Sequence, residues 1–375
     1  MIGVLDEHVE YLSLPHRLDL YRAAVARVVR PGDRVVDVGC GTAVLGLLCL
    51  EAGASHVDAI DSTVALELAR QSLVRAQLEA KCNFIRASSF RVTLPERADI
   101  VICDHVGSFG FDYGLIDTLA DARRRFLKPG GKLIPGRLKL FVGAVESQKC
   151  YQQGNAWRAP EIPREFHWIR QHGVNTKHFV DLQRDELLTD SAELCLIDLR
   201  IDNPEFFSWS STLTVQRDGA LHGLGGWFAC ELADDIWMTN SPLSDESIGR
   251  SQAFLPIDEV LPVRAGDRLD VTIMARPAAN MIAWTLEHAA SGKRFSHSTW
   301  QGEVIDPAQL ARNQPNHVPR LSSTANARNI VLSYCDGERS VSQVQDAVLL
   351  NHPDLFPSSA EISRFVTTVL LRETL

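Results

Sequence analysis

The chain has 375 residues, enough for two or three domains with substantial cores, and its 45% hydrophobic and 23% charged content is ordinary for a globular protein. A formal net charge of -9 disfavours non-specific attachment to nucleic acid or to an anionic membrane surface. No apolar run approaches the ~20 residues of a membrane-crossing helix, and the first residues carry neither a basic flank nor an apolar stretch, so a cytoplasmic protein is expected. The eight cysteines and 12 histidines form no Cys-x-x-Cys, His-x-x-x-His or His-Glu-x-x-His pattern, so the thiols read as core residues and no metal is expected.

In chain order, Leu18, Tyr21, Ala24, Val25 and Val28 recur at helical spacing before Pro31-Gly32-Asp33 opens a first strand. Residues 65–80 read as a helix, 83–87 as a short strand, and 98–104 as a buried strand ending in an acid. A helix over 117–126 and a Pro-Gly-Gly turn then lead to a strand over 132–135. Strands alternating with helices predict a doubly wound parallel sheet. After Pro135 the pattern changes. Short alternating runs at 193–202, 211–216, 227–232 and 268–274, with turns at Asp218-Gly219 and Gly225-Gly226, predict an antiparallel β-barrel or sandwich. Residues 151–185 between them read as an inserted helical arm, 309–325 as a linker, and 326–334, 340–350 and 359–371 as three helices. The expected division is 1–140, 141–308 with the arm, and 309–375.

The most informative stretch is Val35-Val36-Asp37-Val38-Gly39-Cys40-Gly41-Thr42-Ala43, closed by Val57-Asp58-Ala59-Ile60-Asp61. It reads as strand, glycine turn, helix and second strand, with Asp61 at that strand's carboxyl end where an acid can hold two ribose hydroxyls. Glycines 39 and 41 would let the backbone approach a ligand at a helix N-terminus, with free amides pointing outward. A dinucleotide fingerprint needs a third glycine where this chain has Val44. No phosphate-loop Lys-Ser/Thr pair follows. A closed turn with a ribose acid suits S-adenosylmethionine (SAM), which carries no phosphate.

The order of modules, a SAM-type sheet followed by a β-barrel, resembles the protein arginine methyltransferase family over roughly residues 8–303. Arg17 with Tyr21, the run 53–61, Leu127-Lys128-Pro129-Gly130-Gly131-Lys132-Leu133-Ile134-Pro135, Gly226-Trp227-Phe228, Asn240-Ser241-Pro242 and Ser296-His297-Ser298-Thr299 carry the likeness. The resemblance implies that Asp37, Gly39, Cys40 and Gly41 face the methionine part of SAM, Asp61 the ribose and Ser89 the adenine edge. Arg17 would clamp the cofactor carboxylate. It further implies a homodimer paired through the arm.

In that family a loop after the fourth strand carries two glutamates that bracket the acceptor guanidinium. Here the loop reads Asp104-His105-Val106-Gly107-Ser108-Phe109-Gly110-Phe111-Asp112-Tyr113. Asp104 takes the first acidic position, Tyr113 falls on the second, and Asp112 is one residue out of register. The family's Thr-His-Trp segment falls on Ser247-Ile248-Gly249. The candidate catalytic residues are therefore Asp104 to orient the acceptor, His105 as a base and Asp112 as the second acid. The acceptor reads as a protein or peptide side chain, arginine or another nucleophile. A small-molecule methyltransferase and a SAM-binding inactive adaptor remain the alternatives. The tail, at Cys335-Asp336-Gly337-Glu338-Arg339-Ser340-Val341, resembles the helical half of the pyrroloquinoline-quinone chaperone-like domain, which recognises leader peptides. The β-hairpin that opens that domain is not evident before it.

Overall fold

In the computed structural model, which describes residues 4–374, the β-branched residues Val35, Val36 and Val38 are buried on both faces of a central strand. Helices α1 (Val4–Ser13) and α2 (Arg17–Val28) lead in. They are followed by β1 (Arg34–Val38), α3 (Val44–Glu51), β2 (His56–Asp61), α4 (Ala65–Arg75), β3 (Cys82–Arg86), β4 (Ala98–Ile102), α5 (Leu115–Arg125) and β5 (Leu127–Ile134). The sheet order is β3-β2-β1-β4-β5, with every pairing parallel. The chain winds outward from β1 in one direction and from β4 in the other. A crevice therefore opens at the carboxyl ends of β1 and β4, where such sheets bind ligands.

The second half is antiparallel, as the alternation predicts. One sheet runs β7 (His178–Val180), β12 (Gln252–Val263), β10 (Gly219–Ala233), β6 (Arg137–Val145) and β8 (Ala192–Asp198), with β11 (Ile236–Thr239) hairpinned onto β10. The other runs β15 (Lys293–Ser298), β14 (Met281–His288), β13 (Arg268–Arg276) and β9 (Phe207–Thr214). Between β6 and β7, α6 (Gln148–Asn155), two 3-10 turns and α7 (Arg170–Gly173) form the arm expected over 151–185, and β7 returns it to the sheet. The short helix α8 (Thr299–Gly302) follows β15.

The expected turn at Gly225-Gly226 is instead the middle of β10, bonded to Phe254 and Ala253 on one side and Gly143 and Val142 on the other. These glycines answer to crowding. A Cβ on Gly225 would lie 2.7 Å from the Leu182 side chain, and one on Gly226 2.8 Å from the Phe109 ring. Phe109 belongs to the loop after β4, so Gly226 is what lets that loop sit on the antiparallel half.

The chain divides into two compact units, one extending through Glu303 and the other from Val304 on. The second unit opens with α9 (Pro307–Arg312), which overlaps the start of the stretch read as linker over 309–325, because Asp306 caps its first turn and Pro307 supplies the N1 residue. Helices α10 (Ser323–Leu332), α11 (Val341–Asn351) and α12 (Ser359–Glu373) follow. Each is capped by a serine, Ser322, Ser340 and Ser358 respectively. Val331, Val344, Val348, Ile362 and Val366 form their common core. No strand occurs among the described residues of this unit. No helix among the described residues is long and apolar enough to cross a membrane.

Candidate active site

A cavity of about 910 Å³ fills the crevice at the carboxyl ends of the parallel strands. That lies within the ~300–1,000 Å³ range of small-ligand sites. Arg17, Asp37, Gly39, Cys40, Gly41, Asp61, Ser89, Asp104 and His105 all line it. Of the expected site residues only Asp112 does not.

Asp61 ends β2 and is fixed by three donors. Oδ2 accepts from the Gly41 amide at 2.9 Å, and Oδ1 accepts from the Thr63 amide and hydroxyl at 2.7 Å each. A carboxylate offers about four acceptor positions, so one remains for a ligand hydroxyl. Asp37, at the end of β1, is 1% exposed and accepts from the Gly46 amide of α3 at 2.9 Å. Burial pushes its carboxyl up to about 7, against the Gly46 amide, which favours the charged form.

The turn itself differs from the expectation of outward-pointing amides. The Gly39 and Cys40 amides both donate to the Ile60 carbonyl, at 2.8 and 3.1 Å, and the Gly41 amide to Asp61. The parallel β2 strand lies close enough to take these donors, so the turn is stitched to the sheet. What the glycines supply is room and a left-handed backbone, with φ of 66° at Gly39 and 52° at Gly41. A Cβ on Gly39 would fall 1.9 Å from His105 Nε2, and one on Gly41 2.6 Å from the His8 ring. His105 thus rests against one glycine and α1, through His8, against the other.

Arg17 and Asp104 stand 87 residues apart in the chain yet form one ion pair. Arg17 starts α2, and its Nε and Nη2 reach the same Asp104 oxygen, Oδ2, at 2.7 and 2.5 Å. Arg17 Nη1 also donates to the Tyr11 carbonyl at 3.3 Å. A second guanidinium, that of Arg250, lies 3.4 Å from the same oxygen. Burial pushes the Asp104 carboxyl up, but the Arg250 and Arg17 charges outweigh it and hold the carboxyl below the usual carboxylate range. His105 is pulled below the ordinary imidazole value by burial, against the opposing pull of Asp104 and Asp61. It is therefore neutral near pH 7 and able to accept a proton.

Asp112 turns inward. It accepts from the Ser108 hydroxyl at 2.7 Å and the Phe109 amide at 2.9 Å, and forms an ion pair with Lys177, which arrives from the arm. Ringed by these donors, it shapes the 104–113 loop from behind. Tyr113, at the register of the family's second acid, lines the cavity instead. Sequence reasoning also passed over His8, Tyr11, Asp117 and Arg250. Arg250 directly follows the Ser247-Ile248-Gly249 segment already singled out, which is the one signal that pointed toward it.

A second cavity of about 490 Å³ lies beside the first, lined by Glu10, Tyr11, Leu14, Ser108, Tyr113, Phe179, Arg250 and Ser251. Tyr11 and Tyr113 belong to both linings. The site is thus bipartite: a chamber at the strand ends, and a smaller one between the 104–113 loop, α1 and the antiparallel half.

Comparison with known proteins fits this geometry. Residues 35–131 match the model of a methyltransferase domain, and residues 137–286 that of the arginine methyltransferase oligomerization subdomain. The chain is 28% identical to protein arginine N-methyltransferase 1 of Schizosaccharomyces pombe, over 65% of this chain and 73% of that protein. It is 29% identical to a probable protein arginine N-methyltransferase 6 of Arabidopsis thaliana, over 89% of this chain and 77% of that protein. Among solved structures, a chain of the Trypanosoma brucei PRMT1 enzyme-prozyme heterotetrameric complex with AdoHcy superposes with a TM-score of 0.69 at 23% identity. The superposition covers 78% of this chain and 96% of that one. Arabidopsis thaliana protein arginine methyltransferase 10 gives a TM-score of 0.66 at 20% identity. A parallel sheet with its ligand crevice, followed without interruption by an oligomerization subdomain, makes this chain a class I SAM-dependent methyltransferase of protein-arginine-methyltransferase-like architecture.

Proposed function

We propose that the protein transfers the methyl group of SAM to a nucleophile on a protein or peptide side chain. The carrying observation is the pair of cavities that meet at Tyr11 and Tyr113, one sized for a cofactor and one for a side chain. The protein arginine methyltransferases it resembles are named for the arginine they modify, and the same class of acceptor, a side chain on a polypeptide, fits the smaller chamber. SAM supplies an activated methyl group, so positioning can provide most of the rate, ~7–11 kcal/mol.

In this reading the Asp61 carboxylate, already oriented by Gly41 and Thr63, takes a ribose hydroxyl at its remaining acceptor position. Asp37 and the 39–41 turn face the methionine end, and Ser89 the adenine edge. Arg17 serves two anions at once, Asp104 and the cofactor carboxylate. Asp104 orients the acceptor, while neutral His105 takes its proton. Asp112 acts through the loop, as a positioning residue held by Lys177. The arm over 148–185, with exposed Trp157, Phe166 and Trp168, lies within the matched oligomerization subdomain, and we assign it to pairing of two copies.

The test is methyl transfer from labelled SAM to peptide libraries, with wild type and Asp104→Ala side by side. Transfer to a side chain that fails in Asp104→Ala, with cofactor affinity retained, supports the assignment. Transfer only to small molecules, or a fully active Asp104→Ala, sinks it.

A further inference from the structure

Arg250 lies in the segment between β11 and β12 and is only 9% exposed. Its Nη2 approaches Asp104 Oδ2 at 3.4 Å, its Nη1 donates to the Val106 carbonyl, and its guanidinium carbon stands 5.1 Å from the centre of the Tyr11 ring. A guanidinium against a carboxylate, over an aromatic face, is the arrangement by which a site would hold an arginine side chain. Here the chain's own arginine makes it, in the lining of the smaller cavity.

The local charges point the same way. Asp104 is already shared by two guanidiniums, Arg17 and Arg250. The loop's other carboxylate, Asp112, is neutralised by Lys177, and Tyr113 occupies the register of a second acid. His105 is neutral. Glu10, exposed on α1, is the carboxylate in the lining of the smaller cavity, while Asp104 lines the larger one. A cationic acceptor that passes Glu10 and approaches Asp104 therefore meets the fixed positive charges of Arg250 and Arg17, and like charges at such distances repel.

We infer that Arg250 occupies the guanidinium seat on Asp104 and makes the acceptor cavity discriminate against cationic side chains in favour of neutral ones. The inference deepens the methyltransferase reading and rests on it. Arg250 acts as a specificity-determining residue: it sits with Arg17 on Asp104 Oδ2, so an arginine acceptor meets only the unpartnered Oδ1, beside two like charges.

Ethylguanidinium and ethylurea have nearly the same shape and differ in charge. Each is titrated by ligand-observed NMR into wild type, R250M, R250Q and R250K saturated with S-adenosylhomocysteine, whose own binding is measured by calorimetry. R250M and R250Q should bind ethylguanidinium at least ~tenfold more tightly than wild type does, as removal of one close like charge implies. Ethylurea should change less than about twofold, since it carries no charge to repel. R250K, which retains the charge, should behave as wild type. Two neutral variants keep the test open if one fails to fold. Equal ethylguanidinium affinity in wild type and the folded neutral variants overturns the inference, as does absence of binding to either. Retained S-adenosylhomocysteine affinity in that case leaves the methyltransferase reading standing. Loss of nucleoside binding in wild type removes both.

Discussion

Replacing Asp37 by asparagine isolates the energetic cost of the cofactor crevice. Asp37 is 1% exposed, and burial pushes its carboxyl from 3.8 to about 7. That rise corresponds to about 4 kcal/mol favouring the neutral carboxyl. The folded value lies above the unfolded one. The stabilising contribution is therefore complete below the unfolded value of 3.8 and is lost as pH rises through about 7. Asparagine keeps the shape and, through its carbonyl, the hydrogen bond from Gly46, but it carries no charge to desolvate. Denaturation of the ligand-free protein in urea at pH 5.5 and 8.5 should show Asp37→Asn gaining stability over wild type by about 2 kcal/mol more at the higher pH, the part of the loss that falls between 5.5 and about 7. The variant should also bind SAM more weakly. Wild-type affinity should rise as pH passes 7, when the carboxylate ionises, and the variant's should not. A stability difference that is the same at both pH values refutes the reasoning, since a buried carboxyl without a raised value produces no such window.

Breaking the Arg17–Asp104 pair from one side only, in Arg17→Met, leaves a buried carboxylate with Arg250 alone and should cost about 3–5 kcal/mol by chemical denaturation. The double variant with Asp104→Asn should recover part of that loss, and strict additivity would remove the pair from the account. His105→Gln should reduce turnover ~10²–10⁴-fold with SAM affinity intact. The wild-type rate should fall only on the acid side of the ordinary imidazole value, so a rate unaffected by the substitution excludes the base assignment. Gly226→Ala would set a methyl 2.8 Å from the Phe109 ring, and overpacking of this kind costs about 1–3 kcal/mol. Because Phe109 belongs to the acceptor loop, activity should drop together with melting temperature, and an unchanged variant would show that the loop does not lean on β10.

Local patterns made much of this molecule legible. A valine-rich strand, two glycines and an acid 20 residues beyond the turn read correctly as a crevice at the end of a parallel sheet, because each signal lies within one strand–helix–strand unit. The three helices of the tail, read from 326–334, 340–350 and 359–371, were legible for the same reason. Contacts between distant segments were not. Nothing near Arg17 announces that its partner is Asp104, and nothing near Asp112 announces Lys177 from the arm. The first is set by how α2 sits over the loop after β4, the second by how the arm reaches that loop. The Gly225-Gly226 pair misled because glycine marks two different needs, a turn or a close approach. Only the position of Phe109 and Leu182 decides which. The amides of the 39–41 turn misled similarly, since their acceptor is a carbonyl on the neighbouring strand.

The most direct measurement is calorimetric titration of S-adenosylhomocysteine into wild type and Asp61→Ala. The account predicts one molecule bound per chain and at least ~tenfold weaker binding in the variant, the loss of one well-placed charged acceptor. Absence of binding by wild type, or equal affinity in both proteins, contradicts it.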